Sequence, residues 1–441
     1  MSFPSFSSIE LIATAPMGLE AVVAREVRDL GYEQVTVENG RVTFTGDLLA
    51  VCRANLWLRT ADRVLIKMAQ FEARTFDDLF EGVKALPWPD WIPEDGEFPV
   101  EGRSHKSQLS SVPACQGIVK KAVVESMKQR YGTEWFRETE GRYVIEVSLL
   151  NDIATITLDT TGPGLHKRGY RKLVTEAPLK ETMAAAMVLL SRWQPERPLY
   201  DPFCGSGTIP IEAAMIGWNI APGLRRSFNA ESWPVISEAL WSEAREEAFD
   251  LVKDDIPLQI GGSDIDPAAI EVALAAAKSA GLAKELRFHT LPVSKALPAG
   301  DYGCLITNPP YGERLGDREE VERALRQFGQ MHKQLPNWSA FILSPSKQME
   351  HYLGRKADKK RKLFNGRIEC ALYQFFRPGR LVRLAEGFEY ERELMQIAPI
   401  RCEEQPKKSL GQTLLSFFWH APFQRVNHAK KTHPSSGYVP R

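Results

Sequence analysis

Pro198-Leu199-Tyr200-Asp201-Pro202-Phe203-Cys204-Gly205-Ser206-Gly207-Thr208 reads as a short buried strand, a small-residue loop and the first turn of a helix that runs to about Gly217. This stretch decides the fold, because a strand that ends in an acid and a glycine loop is the ligand-binding corner of an open α/β sheet. The loop lacks the Gly-x-Gly-x-x-Gly spacing of a dinucleotide fingerprint and the Gly-Lys-Ser/Thr of a phosphate loop. No lysine follows to hold a phosphate. Gly205 and Gly207, with Phe203 and Cys204 before them, instead let the backbone approach a bulky, uncharged part of a ligand, such as an adenosine that carries an amino-acid tail. Asp201 is placed to serve the ammonium of that tail, directly or through water. A tight strand-to-helix turn is the competing reading of the same string.

Working outward, the chain from Pro178 alternates helices with apolar strands, the pattern of a mostly parallel sheet covered on both faces. A helix over Pro178 to Trp193 precedes the strand, and a second strand runs into Gly262-Ser263-Asp264-Ile265-Asp266. Asp264 then sits where ribose hydroxyls are received. Asp266, followed by Pro267, reads better as the N-cap of a helix closed by Gly281, although it too stands at the ligand edge. Between the two strands lies an insertion with Arg225, Arg226 and a helix near Val235 to Lys253, expected beside the ligand edge, where it would help shape a substrate site.

A further strand, Gly303 to Thr307, delivers Asn308-Pro309-Pro310-Tyr311 at its C-terminal end. The Asn308 side-chain oxygen and the Pro309 carbonyl can accept both hydrogens of an NH2 group, and Pro309 and Pro310 fix the backbone and supply no competing N–H. Tyr311 can stack on the base that carries that group. The chemistry suits any NH2 on an sp2 carbon: guanine N2, adenine N6 or a protein amide. A proline turn that closes a buried strand is the alternative.

The 441 residues exceed one ordinary core and predict two or three domains. Lysine plus arginine equals aspartate plus glutamate at 56 each, so a nucleic acid would have to be met by local patches and not by a global basic field. The six cysteines, at 52, 115, 204, 304, 370 and 402, form no Cys-x-x-Cys and predict neither a metal site nor disulfides. With no long apolar run and no leader-like start, the expectation is a cytoplasmic protein without a membrane partner.

The N-terminal residues 1–70 read βαββαβ: Ile9 to Thr14, Gly18 to Leu30, Gln34 to Glu38, Arg41 to Thr45, Leu48 to Trp57 and Arg63 to Gln70. Asn39-Gly40 is a two-residue hairpin signal, and the order is that of a ferredoxin-like module. Residues 71–160 read as a second unit: a helix near Thr75 to Leu86, a strand over Phe98 to Arg103, a helix from Ser111 to Tyr131 stopped by Gly132, and a hairpin turning at Asn151-Asp152. Residues 161–385 then hold a basic connector, Gly162 to Arg171, and the Rossmann-like sheet. Residues 386–441, basic and acid-poor toward the end, are expected to be a disordered tail.

Asp201 to Thr208, Gly262 to Asp266, Asn308 to Arg314, Ala177-Pro178-Leu179-Lys180-Glu181-Thr182 and Leu165-His166-Lys167-Arg168-Gly169-Tyr170-Arg171 together resemble the THUMP-containing class I RNA methyltransferases, most nearly the RlmL-like branch. The resemblance covers about residues 8–380. It implies an α/β architecture: a ferredoxin-like plus THUMP α+β module that binds RNA, then a Rossmann-like domain that binds S-adenosylmethionine and releases S-adenosylhomocysteine, with the residues before Thr182 closing over the methionine portion and Thr182 among the cofactor contacts. It also implies methylation of guanine N2 in large-subunit (23S) ribosomal RNA, free or in a precursor subunit. The chain departs from the family at Leu291-Pro292-Val293, where an Asp that binds the adenine amino group is usual. Adenine-N6 methylation, and a noncatalytic RNA-binding assembly factor, are the other readings. Candidate phosphate contacts are Arg103, Lys106, Lys120 and Lys121 in the second unit, His166, Lys167, Arg168 and Arg171 in the connector, and Arg225 and Arg226 in the insertion.

Overall fold

The computed structural model describes residue 6 and residues 8–171, 179–312 and 317–376. The expected tail, Pro178 and Glu313-Arg314 lie outside them, and the helix expected from Pro178 begins only at Glu181, with Lys180 as its N-cap.

The N-terminal third begins with β1 (Ile9–Thr14), α1 (Glu20–Asp29), β2 (Val35–Glu38), β3 (Arg41–Gly46), α2 (Leu48–Trp57) and β4 (Arg63–Glu72). Glu38 faces Arg41 across the Asn39-Gly40 turn, where Gly40 takes φ +76°, a left-handed value that glycine adopts without strain. Next come α3 (Phe76–Lys84), α4 (Trp88–Trp91), β5 (Gly96–Glu97), β6 (Val100–His105), α5 (Val112–Tyr131), β7 (Glu140–Arg142), β8 (Val144–Leu150) and β9 (Ile153–Asp159). Asn151 and Asp152 both take positive φ, as a two-residue turn between Leu150 and Ile153 requires.

The two N-terminal units share one seven-stranded sheet, in the order β2-β3-β1-β4-β9-β8-β6. The seam is β4 against β9, antiparallel from Leu65↔Asp159 to Glu72↔Ile153 with one bulge. Backbone hydrogen bonds therefore run without a break between segments that the sequence presents as separate modules.

The C-terminal half comprises α6 (Glu181–Ser191), β10 (Leu199–Asp201), α7 (Thr208–Gly217), α8 (Glu238–Asp250), β11 (Ile260–Asp264), α9 (Pro267–Ala280), β12 (Leu286–Thr290), β13 (Cys304–Thr307), α10 (Asp317–Lys333), β14 (Ser339–Ser344), α11 (Met349–Leu353), β15 (Lys359–Asn365) and β16 (Ile368–Phe375). Its sheet order is β12-β11-β10-β13-β14-β16-β15, parallel except for β16. Successive strand residues go to opposite faces, as the period of two demands. Leu199, Ile306 and Phe341 pack under α6, α7 and α9, whereas Tyr200, Leu305 and Ile342 pack under α10 and α11. The strand order reverses between β10 and β13, and the ligand crevice of such sheets lies outside the strand ends at that point.

The insertion does not shape the ligand edge as expected. It buries Phe228, Trp233, Ile236 and Trp241 in the core of the N-terminal sheet, with Trp233 stacked on Tyr143 at 4.7 Å and Arg53 paired with Glu247 at 2.7 Å. Its apolar side chains dock one half of the protein on the other.

Candidate active site

At the reversal point a cavity of 570 Å³ is lined by the loop after β10, the ends of β11 and β13, and the first turns of α10. Asp201, Phe203, Cys204, Gly205, Asp264, Asn308 and Pro310 all reach it, so the glycine loop and the Asn-Pro-Pro-Tyr corner open on one space. Asp201 is 2 % exposed, and its Oδ1 accepts from the Thr307 hydroxyl at 2.6 Å and from the Phe203 N–H at 3.1 Å. Burial pushes its carboxyl up to about 7, against the pull of those two hydrogen bonds. Asp264 Oδ2 accepts from the Gly205 N–H at 2.9 Å and Oδ1 from the Asp266 N–H at 3.1 Å, which leaves further lone pairs for ligand hydroxyls.

Gly262 lets β11 approach this loop, since a Cβ there would stand 2.7 Å from the Cys204 Cβ. Gly207 stands in a tightly packed position. It does not line the cavity, it takes φ +76°, and a Cβ would meet the Phe288 ring at 2.8 Å. Asp266 accepts from the Ala268 N–H at 2.9 Å as a helix N-cap and also stays off the cavity wall. Thr182 is 1 % exposed, does not line the cavity, and its hydroxyl has no hydrogen-bond partner among the described residues.

Sequence reasoning missed several walls. Leu179, Ile209, Ile265 and Val321 supply apolar surface, and Ile265 is 73 % exposed directly after the ribose-side acid. An apolar residue behind a strand-end acid was the available signal. Glu320 and Ala324 come from α10, a helix that no sequence feature had tied to the site. Leu291 and Pro292 do not line the cavity.

Asp201, Asp264 and Glu320 are the ionisable carboxylates of the wall, and no lysine, arginine or histidine joins them among the described residues. Such a donor set repels phosphate and suits an uncharged nucleoside bearing a cationic tail. S-adenosylmethionine has that chemistry: a sulfonium and an ammonium beside an adenosine. The cofactor expectation therefore fits the residues present.

At the catalytic corner Asn308 is half-buried and Pro309 buried. Tyr311 does not line the cavity as a free stacking platform. Its ring packs at the edge of the core under α6 and α7, and its hydroxyl donates to Asn308 Oδ1 at 2.5 Å. That hydroxyl also receives Asn365 Nδ2 at 3.2 Å and lies 3.6 Å from the Cys370 sulfur.

Most of the expected phosphate contacts serve the fold instead. Arg168 is 2 % exposed and sits between Glu212 (3.3 Å) and the backbone carbonyls of Leu165 and Arg59. Arg171 pairs with the buried Glu181 at 3.5 Å and donates to Thr208 Oγ1 at 2.5 Å. Arg226 is spent on the Gly164 and Lys167 carbonyls, and Arg225 donates to the Ser279 carbonyl near the end of α9. Burial and surrounding cations push His166 down to about 4, so it is neutral near pH 7. A buried guanidinium must satisfy its donors internally, which a carbonyl-rich connector allows. Lys120 donates to Glu138 at 2.7 Å over the Phe98 ring, and Arg103 pairs with Glu146 at 2.7 Å. Lys106, Lys121 and Lys167 remain on the surface.

Comparison with known proteins agrees with this architecture. Family models match residues 10–65 (RlmL ferredoxin-like domain), 73–159 (THUMP domain) and 168–374 (RMKL-like, methyltransferase domain). The Bacillus subtilis (strain 168) protein named "Putative RNA methyltransferase YpsC" is 53% identical over 83% of this chain and 95% of its own. A Shewanella baltica (strain OS155 / ATCC BAA-1091) "Ribosomal RNA large subunit methyltransferase K/L" is 33% identical over 82% of this chain but only 52% of its own length. Among solved structures, "a predicted N6-adenine-specific DNA methylase" from Listeria monocytogenes str. 4b F2365 has a TM-score of 0.81 at 51% identity, covering 84% of this chain and 97% of that one. The crystal structure of "SMU.472, a putative methyltransferase complexed with SAH" has a TM-score of 0.80 at 45% identity, covering 86% and 99%. The chain belongs to the RMKL-like methyltransferase family, with the ferredoxin-like, THUMP and methyltransferase domains in the RlmL order.

Proposed function

We propose that the protein uses S-adenosylmethionine to methylate the exocyclic N2 of a guanine in large-subunit ribosomal RNA. The observation that carries this reading is that Asn308 opens on the same cavity as Asp201 and Asp264, a cavity lined by no cation among the described residues. The THUMP domain and the ribosomal RNA methyltransferase relative support RNA as the substrate.

When bound, S-adenosylmethionine supplies an already activated methyl group on its sulfonium, so the protein has chiefly to position the acceptor. Asp264 would receive the ribose hydroxyls and Asp201 the tail ammonium. Asn308 Oδ1 and the Pro309 carbonyl would take the two hydrogens of the target NH2, favour a pyramidal nitrogen, and stabilise the positive charge that develops on it. The resulting ammonium is acidic and loses its proton to water, so no histidine is assigned as a base. The Tyr311 hydroxyl donates to Asn308 Oδ1 and occupies one of its two lone pairs, which would fix the amide plane and leave the other lone pair for the base.

Adenine N6 is the second reading, favoured by the name of the Listeria protein and by the generality of the Asn-Pro-Pro-Tyr acceptor set. Nucleoside mass spectrometry after incubation with unmethylated ribosomal RNA and S-adenosylmethionine carrying a deuterated methyl group separates the two. Labelled N2-methylguanosine is expected, and labelled N6-methyladenosine would replace the first reading. Cofactor binding without label, on naked RNA and on precursor large-subunit particles alike, would leave a noncatalytic assembly factor.

A further inference from the structure

The thirteen residues from Arg355 to Arg367 hold seven cations and the single acid Asp358, in a chain whose formal net charge is zero. They comprise the four residues that lead from α11 into β15, then β15 itself at the edge of the methyltransferase sheet, and the turn into β16. Four of the cations have internal partners. Arg355 pairs with Asp358 at 2.5 Å, Lys360 with Glu350 at 2.5 Å and Lys362 with Glu369 at 2.7 Å, while Arg361 donates to the Gly18 carbonyl at 2.9 Å. Lys356, Lys359 and Arg367 are exposed and have no ion pair among the described residues. The Lys362–Glu369 pair leaves both side chains over half exposed, and such surface pairs exchange readily for another anion.

The inner face of the same hairpin reaches the catalytic corner. Asn365 on β15 and Cys370 on β16 both contact the Tyr311 hydroxyl, which bonds Asn308. A strand whose target base sat at Asn308 would thus meet this basic edge next.

The geometry points to the β15–β16 hairpin as a track for the phosphate backbone of single-stranded RNA flanking the target base, with Lys356, Lys359 and Arg367 as its free cations. This assignment rests on the reading that the substrate is RNA. Lysines on an edge strand also discourage pairing with other chains, and that bland role predicts no loss of RNA affinity when they are removed.

The test is fluorescence anisotropy of the full chain with a short, unstructured, labelled oligoribonucleotide of mixed sequence, titrated across salt concentrations. In the triple variant Lys356→Ala/Lys359→Ala/Arg367→Ala, the slope of log affinity against log salt should shrink by about 2, and affinity at low salt should fall roughly 10- to 100-fold. The triple Lys278→Ala/Lys284→Ala/Arg287→Ala, at the opposite edge of the sheet, should retain wild-type values, and both variants should bind S-adenosylhomocysteine as the parent does in calorimetry. A wild-type slope in the hairpin variant overturns the track, as does a loss confined to duplex RNA. A parent protein that binds neither this oligoribonucleotide nor precursor large-subunit particles overturns the RNA reading itself, a different result. The identity of the methylated nucleoside does not enter either outcome.

Discussion

The Thr307 hydroxyl donates to Asp201 Oδ1 at 2.6 Å, so the residue just before Asn308 is bonded to the acid that ends β10. The glycine-loop corner and the Asn-Pro-Pro-Tyr corner are joined through one buried carboxylate. Burial raises that carboxyl from its ordinary 3.8 to about 7. A carboxyl raised in this way favours folding fully below its unfolded value, and that contribution is lost as the pH climbs through about 7. A cationic ligand tail prefers the ionised form. Calorimetry with S-adenosylhomocysteine should therefore show affinity rising with pH toward 7, by at most about tenfold per unit, then levelling. In Asp201→Asn the rise should vanish, and a profile unchanged from wild type would show that this carboxyl does not face the tail.

Asn308→Ala should lower kcat by about 10²- to 10³-fold, the range for deleting one group that stabilises developing charge. Binding of S-adenosylhomocysteine should stay within a few-fold of wild type. Loss of cofactor binding with near-normal turnover would contradict the role assigned to Asn308.

Tyr311→Phe keeps the ring and removes the hydroxyl that holds Asn308 Oδ1. Loss of that orienting bond, worth about 1 kcal/mol net, should lower kcat/KM about 5-fold while the second lone pair of Oδ1 still accepts. An unchanged kcat/KM would mean that the hydroxyl does not orient Asn308 for the reaction.

Glu212 is fully buried against Arg168, and Tyr170 also donates to it at 3.0 Å. Glu212→Ala strands a buried guanidinium and should destabilise the protein by about 3–5 kcal/mol in denaturant unfolding. Lys167→Ala, one residue from Arg168 but exposed, should fall within about 0.5 kcal/mol of wild type. Equal effects would show that burial is not what separates the two connector cations.

Local signals made much of the fold readable. Asn39-Gly40, Gly132 and the Asp266-Pro267 cap act within a few residues of themselves, and the structure has each element ending or starting there. The β4–β9 seam depends instead on pairing residues some ninety positions apart, and nothing in either strand advertises its partner. The connector arginines failed as phosphate contacts for a related reason: Arg168 and Lys167 look alike in sequence, and only packing against Glu212 and the Arg59 carbonyl tells a core cation from a surface one. The Asn308 corner was legible because its chemistry lies within consecutive residues. The β15–β16 hairpin that touches Tyr311 was not, since Asn365 and Cys370 meet that hydroxyl from 54 and 59 positions away.

The balance of 56 cations and 56 acids hides a spatial division. The cofactor cavity gathers Asp201, Asp264 and Glu320, while the neighbouring hairpin gathers lysines and arginines. A nucleotide arriving at this boundary would be sorted by its own anatomy. On the proposed reading its phosphate would be repelled by these carboxylates and held outside by the hairpin while the neutral base crossed, so a protein neutral in sum would work as an electrostatic sieve where base and backbone part.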